Sequence, residues 1–298
     1  MKEPRQPLDR AGLLKLASVA SVITAGFLIV AKLVAWYLTG SVGLLASLVD
    51  SVMDSIASLI NLFAIRYSLQ PADEQHRFGH GKAEPLAGLA QAAFIAGSAM
   101  FLIFHAIDRL RFGHAIEQVG IGIGVMVLAI VLTVVLLAIQ RYVIQKTDST
   151  AIRADSLHYL TDLLTNMCIL LALYLSTLGW EWADPVFAIG VAIYIFYSAF
   201  QIGHEAFQQL MDRELPDEVL EQIQAIAMSP PEVTGTHEPR TRQSGQTRFV
   251  QLHLELNENM SLRRAHEIAD QVEAEIMAFL PGSEVIIHQD PIDDSEEI

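Results

Sequence analysis

The sequence predicts an α-helical membrane protein with six transmembrane helices, followed by a small cytoplasmic α+β domain. Three observations carry that prediction. The chain has 298 residues, is 52% hydrophobic and has a mean hydropathy of +0.37, too apolar for an ordinary soluble domain. Its apolar stretches, roughly 14–37, 41–66, 85–109, 118–144, 152–178 and 184–208, are each long enough to cross a hydrocarbon core. The charge is also unevenly divided: residues 1–209 carry 13 Lys+Arg against 15 Asp+Glu, whereas 210–298 carry 6 against 19. The net charge of −15 is therefore almost entirely a property of the tail, which argues against nucleic acid or anionic lipid as its partner.

Basic residues orient the spans. Lys2, Arg5, Arg10 and Lys15 lie before or at the start of the first, Arg66, Arg77 and Lys82 between the second and third, and Arg141, Lys146 and Arg153 between the fourth and fifth. The opposite loops hold only Arg109 and Arg111. Lys and Arg collect on the cytoplasmic side of a bilayer, so both termini are expected there. The first apolar segment is too long for a signal-peptide core and has no convincing cleavage site, so it is expected to remain as a span. Cys168, the only cysteine, excludes an intrachain disulfide and a zinc ribbon and is expected to pack between helices. The expected division is a transmembrane domain over 1–209 and a cytoplasmic domain over 210–298.

In the tail, Leu215-Pro216-Asp217 reads as a helix start, with an apolar rhythm through Val219, Ile223 and Ile226. Residues 232–242 and 247–256 read as strands. In the second, Val250, Leu252, Leu254 and Leu256 alternate with Gln251, His253 and Glu255, one face for a core and one for water. Ser261 opens a helix reaching about Phe279, and Glu284–His288 reads as a third strand. The order α-β-β-α-β predicts a two-layer domain with helices on one face of a sheet. That fold alone assigns no activity.

Two motifs inside the apolar stretches point to chemistry: Asp50-x-x-x-Asp54 and His158-x-x-x-Asp162. A spacing of i, i+4 stacks both side chains on one helix face. A buried Asp costs roughly 2.5–3.5 kcal/mol on insertion scales, so unpaired acids do not persist in such spans without a reason. Four O/N donors make a tetrahedral site suited to a divalent cation such as zinc. The plainer alternative is polar contacts between helices. It is weakened because the second and fifth spans carry no cation beyond Arg66 and Arg153 at their very ends to pair with; Lys32 is the only other candidate, and it lies in the first. An anionic cluster needs a cation, and the missing one reads as the substrate.

Two further clusters lie outside the spans. Asp73-x-x-His76-x-x-x-His80 falls in the polar loop after span two, where three ligands can surround one metal; a merely solvated loop is the alternative. The tail supplies His237, His253, His266, His288 and Asp290 in a domain without lysine. His288 and Asp290 share one strand face, and His253 faces out from another strand, so pairing brings them close. A binuclear site with His266 as bridging or outer ligand is one reading, and scattered surface histidines the other. His105, Asp108, His114 and His204 read as polar residues at span ends or in loops. Lys82 and Asp212 lie where the spans meet the tail.

Together the six spans, the two i, i+4 pairs, the stretch Pro71–Pro85 (PADEQHRFGHGKAEP), the His-rich acidic tail and the ending Val285–Pro291 (VIIHQDP) resemble the cation diffusion facilitator family, nearest its bacterial zinc- and iron-efflux members. The resemblance covers nearly the whole chain. It implies a homodimer in the bacterial inner membrane with a ferredoxin-like, metallochaperone-like tail. It implies a transport site of Asp50, Asp54, His158 and Asp162, and a loop site of Asp73, His76 and His80. It also implies a binuclear tail site of His237, His253, His288 and Asp290 with His266, and a charge interlock of Lys82 and Asp212 at the dimer junction. This transport pattern resembles members that move zinc and cadmium, sometimes ferrous iron. Zinc is thus expected both as cargo and as a regulatory ion in the tail.

The expected function is efflux of a divalent cation driven by inward proton flow. Metal ligation requires deprotonated donors, so metal and protons compete for the same atoms, and histidine titrates near physiological pH. Three rivals are weaker. A membrane metallohydrolase needs an open metal position, and the chain has no His-Glu-x-x-His motif. A cation channel is ill served by multidentate ligation. A metal-sensing membrane protein without transport explains the tail but not the quartet.

Overall fold

The structure, a computed structural model, describes residues 8–39, 42–112, 122–176 and 183–292. Six long helices come first: α1 (Leu8–Thr39), α2 (Val42–Ser68), α3 (Ala83–Phe112), α4 (Gly122–Thr147), α5 (Thr150–Ser176) and α6 (Ala183–Leu210). The expected starts of spans two and four at 41 and 118, the end of span five at 178, and His114 lie outside the described residues. Even α4, with 26 residues, measures about 39 Å at 1.5 Å per residue, against about 30 Å of hydrocarbon.

Five helices contain segments long and apolar enough to cross a membrane: Arg10–Leu38, Ser47–Ser68, Ala83–Asp108, Gly124–Thr147 and Pro185–Leu210. α5 differs because Arg153, Asp155, His158 and Asp162 crowd its first half. It is nonetheless interior, with Ile152, Asp155, Leu157, His158 and Tyr159 all buried. The bundle inverts the pattern of a soluble protein. Phe27, Phe63, Phe101 and Phe200 are each more than half exposed, while Ser21, Gln140 and Asp155 are fully buried. An apolar surround suits that arrangement; water does not.

Two clusters hold the helices together. Leu14, Ala17, Ile65, Val143, Ala151 and Ile152 join α1, α2, α4 and α5 near the end where α4 turns into α5. Ala92, Ile95, Ala99, Ala154, Leu157, Ile195, Ala199 and Ile202 join α3, α5 and α6, with alanines allowing close backbone approach.

The tail contains α7 (Asp217–Ala227), β1 (Val233–Ser244), β2 (Thr247–Asn257), α8 (Leu262–Phe279) and β3 (Ser283–Ile292), the order expected. Asp217 and Glu218 complement the positive end of α7. Ser261 caps α8, its hydroxyl accepting from the Arg264 N–H. β2 is central, antiparallel to β1 and parallel to β3. Val250, Leu252, Leu254 and Leu256 turn toward the helices and pack with Ile223, Ile268, Val272 and Ile276. The period of two then sends Gln251, His253 and Glu255 to the opposite face. β3 continues past the expected end at His288 to Ile292, which sets Asp290 in the ladder opposite Glu255. By compactness the chain divides into Leu8–Phe207 and a tail beginning at Gln208.

Candidate metal centre

α2 and α5 meet so that Asp54 Oδ1 lies 3.0 Å from His158 Nε2, while Asp162 Oδ2 lies 3.9 Å from the same nitrogen. His158 is only 7% exposed, and its Nε2 is turned to these carboxylates without the alignment of a hydrogen bond. One donor atom from each of Asp54, His158 and Asp162 lies within 4.8 Å of the others, a spacing one shared cation can bridge. Asp50, one turn from Asp54, lines the same cavity but is not drawn into that group. Three of the four expected ligands thus converge, and the fourth stands beside them.

The cavity has a volume of 410 Å³ and is lined by Asp50, Asp54, Asp162, Thr133 and Lys32, among others. Lys32 donates to the Ser47 carbonyl at 3.1 Å and to Ser51 Oγ at 2.6 Å. Lys32, the one other candidate cation named from the sequence, faces this cavity. α1 packs along α2, and that contact turns Lys32 of the first span into the cavity of the second and fifth.

Asp155 is missing from the expected set, although an acid inside an apolar helix is itself a signal. Its Oδ2 accepts from Ser21 Oγ at 2.5 Å and Gln140 Nε2 at 2.8 Å, and its Oδ1 from Gln91 Nε2 at 3.2 Å. Beside it, the Tyr159 hydroxyl lies 2.9 Å from Ser58 Oγ and donates to the Ser21 carbonyl at 3.1 Å.

The loop cluster also assembles. Asp73 Oδ1 accepts from the backbone N–H groups of His76 at 2.6 Å and Gln75 at 2.9 Å, bonds that hold its carboxyl below the ordinary value. His76 Nδ1 is 3.4 Å and His80 Nε2 3.3 Å from the Asp73 carboxylate. Gly79, at φ +75°, lets the chain turn back and seat His80 against the Tyr67 ring, centroids 4.6 Å apart. His80 is buried and its Nδ1 has no hydrogen-bond partner.

In the tail, β-sheet register does the assembling. His237 pairs with His253 and His253 with His288, so three imidazoles cross the sheet in one row. Asp290 Oδ2 lies 2.7 Å from His253 Nδ1 and 3.2 Å from His237 Nε2, and its Oδ1 lies 3.2 Å from His288 Nε2. The hydrogen bond from His253, with the other imidazoles adding to it, keeps the Asp290 carboxyl below its ordinary range. The chain does not bring His266 to this row. It sits on α8, 68% exposed and 3.5 Å from Asp270, whereas the row occupies the sheet face away from α8.

Glu255 is not in the expected set, though it shares a strand face with His253. Its Oε1 lies 2.9 Å from His237 Nδ1. Gly235 makes room for it: a Cβ there would stand 2.0 Å from Glu255 Oε2. A β-bulge follows at Glu238, where φ is +46° and the register slips between His237 and Arg240. Of the expected interlock pair, Lys82 is half-buried just before α3. Asp212, at φ +56°, accepts from Arg242 at 3.3 Å.

Residues 18–211 match the family described as the cation efflux transmembrane domain, and residues 215–292 match the cytoplasmic domain of cation efflux proteins. The chain is 52% identical over 275 residues to the cation-efflux pump FieF of Klebsiella pneumoniae, covering 92% of each. It is 53% identical over 275 residues to FieF of Salmonella choleraesuis (strain SC-B67), again covering 92% of each. Among solved structures, the metal-bound C-terminal domain of the CzcD transporter from Thermotoga maritima is similar at 28% identity, over 25% of this chain and 87% of that chain, with a TM-score of 0.24.

Proposed function

The chain belongs to the cation efflux family, a family of multi-span metal-cation exporters, and from that premise we propose that it carries a divalent ion out of the cytoplasm in exchange for protons. The observation that carries this reading is the convergence of Asp54, His158 and Asp162 beside Asp50 in one cavity. Two or three carboxylates and a neutral imidazole replace the water around an incoming ion. Asp50 completes the set as α2 and α5 close on it. A mixed O/N donor set of this size suits zinc, and cadmium or ferrous iron next.

Each donor must be unprotonated to bind metal, so protons arriving from the far side compete for the same lone pairs and expel the ion. Lys32 holds a positive charge close by when the ion has gone, which eases the cost of leaving several acids together in an apolar bundle. Both termini are cytoplasmic, as the distribution of Lys and Arg supports. The membrane is the bacterial inner membrane.

Asp73, His76 and His80 hold a second ion at the cytoplasmic loop. His237, His253, His288 and Asp290 hold regulatory zinc in the tail, with Asp290 placed to share its two oxygens between ions. Bound metal offsets the acidic excess of the tail, 19 acids against 6 bases, and thereby favours a closed homodimer. His266 lies on the other side of the sheet, so its part in that site requires the second protomer. Lys82 and Asp212 interlock at the dimer junction.

Calorimetric zinc titration of the full chain in detergent, at pH 7 in buffers of different ionisation enthalpy, tests the competition between metal and protons. Binding should release protons, and Asp54→Ala should remove one class of sites together with its share of that release. Identical stoichiometry and proton release in wild type and Asp54→Ala would contradict the assignment.

A further inference from the structure

We propose that Asp155, fastened to Ser21, Gln91 and Gln140, is the gate that closes the transport site toward the end of the bundle where α4 turns into α5. It is a positioning residue of the transport cycle, and its bonds must part for an ion to load from that side. Calling that side the loading side rests on the efflux reading.

The placement follows from depth along each helix. Ser21 lies one turn before the cavity-lining Ala25 on α1, and Asp155 one turn before the cavity-lining Tyr159 on α5. Gln140 lies about two turns after the cavity-lining Thr133 on α4. Because α1 and α5 run opposite to α4, all these steps lead to the same end. The cavity occupies the other direction, reaching Leu28, Lys32 and Asn166. Toward the α4–α5 turn the Asp155 layer is backed by Leu14, Ala17, Ile65, Val143, Ala151 and Ile152. The cavity therefore extends to one side of the transport site, and on the other side α1, α3, α4 and α5 are joined by a polar layer backed by an apolar one.

The polar layer suits a switch because it is buried. Ser21, Gln140 and Asp155 are fully buried, and Gln91 is nearly so. Three donors from α1, α3 and α4 satisfy one carboxylate on α5, the only charged acceptor among their partners, since Ser21 Oγ otherwise meets the Ala17 carbonyl and Gln140 Nε2 the Ser21 hydroxyl. Closure is thus favourable only when all four helices meet. Opening admits water, which satisfies the same groups separately. The two arrangements are discrete, as a gate requires. Asp155 also stands three residues before His158 on the same helix, so movement that opens the gate moves a metal ligand as well.

Thiol labelling of the full chain tests this. In a Cys168→Ser background, Ala17→Cys reports on the sealed side and Thr133→Cys on the open cavity. With Asp155 intact, maleimide should label the second much faster than the first. Asp155→Ala removes the charged acceptor that three donors share only in the closed arrangement, leaving Ser21 the Ala17 carbonyl and Gln140 the Ser21 hydroxyl. It should therefore speed labelling at Ala17→Cys about tenfold and slow it at Thr133→Cys. Ser21→Ala, which removes a single donor, should move both rates the same way but less, and serves if Asp155→Ala does not fold. Unchanged rates, or a rise at both positions together as in a loosened bundle, would overturn the proposal. The readout does not depend on flux. A reciprocal shift in a protein that moves no metal would uphold the gate while removing the transport reading.

Discussion

In the bundle the candidate metal-ligating side chains stand on two helices, α2 and α5, whereas in the tail the three candidate histidines stand on three paired strands. The difference shows in how the distances arise. His237 and His253 have ring centroids 4.9 Å apart, and His253 and His288 4.7 Å, which is the spacing of neighbouring strands. The backbone hydrogen-bond ladder fixes that row, and nothing short of unpairing the sheet changes it. No ladder joins α2 to α5. Their ligands meet through side-chain packing, so a modest helix shift alters the coordination and leaves each helix intact. A site that must release its ion at every turnover is better placed on helices, and a site that senses and clamps is better placed on a sheet.

The contrast breaks most sharply at Asp54. Its replacement by alanine should lower zinc affinity at the transport site on the order of 100-fold, about 2.7 kcal/mol, and abolish measurable flux while leaving the tail's zinc affinity unchanged. His288→Ala should do the reverse. Tail affinity and metal-dependent dimer stability should fall about tenfold, with flux within about threefold of wild type when measured at saturating zinc. Loss of flux equal to that of Asp54→Ala, with folding intact, would overturn the regulatory role of the row.

Smaller effects sharpen the picture of the tail. Glu255 accepts from the His237 nitrogen opposite the one facing Asp290, the arrangement that orients a metal-bound imidazole. Glu255→Gln should weaken tail zinc binding by up to about tenfold. Gly235→Ala, which pushes a methyl group into the space Glu255 occupies, should match it. Titration calorimetry of the full chain checks both, and unaltered affinity in Gly235→Ala would remove Glu255 from the site.

The smallest effect concerns pH. The Asp290 carboxyl is held below its ordinary value of 3.8, first by the hydrogen bond from His253. A depressed carboxyl stabilises the fold above its unfolded pKa, and that contribution fades as pH falls through the lower folded value. Amide exchange along β2 in the metal-free protein should therefore quicken below about pH 4. Asp290→Asn should lack that increment.

How much of this the sequence carries differs between the two regions in the same way. Hydropathy reveals the helices, and alternation from Val250 to Leu256 reveals β2 and its polar face. Local spacing also reveals the i, i+4 pairs and the Asp73–His80 loop, because their geometry lies within one element or one turn. The facing of Lys32 is not legible, since it depends on how α1 rolls against α2. Asp155 is visible as a buried acid, but its partners on α1, α3 and α4 are set only by packing. In the tail the row of histidines follows from register, and the bulge at Glu238 lies just beyond the position that must match. Glu255 was within reach, being two residues from His253 on the same face. Composition and the family resemblance suggest His266 as a ligand, but α8 covers the opposite side of the sheet.

Metal flux into proteoliposomes under an imposed proton gradient, with zinc as the ion and Asp54→Ala as the comparison, tests the central claim most directly. The account predicts zinc movement that rises with the opposing proton gradient, collapses when the gradient is dissipated and is absent in Asp54→Ala. Zinc flux that ignores the gradient, or that persists in Asp54→Ala, would contradict it.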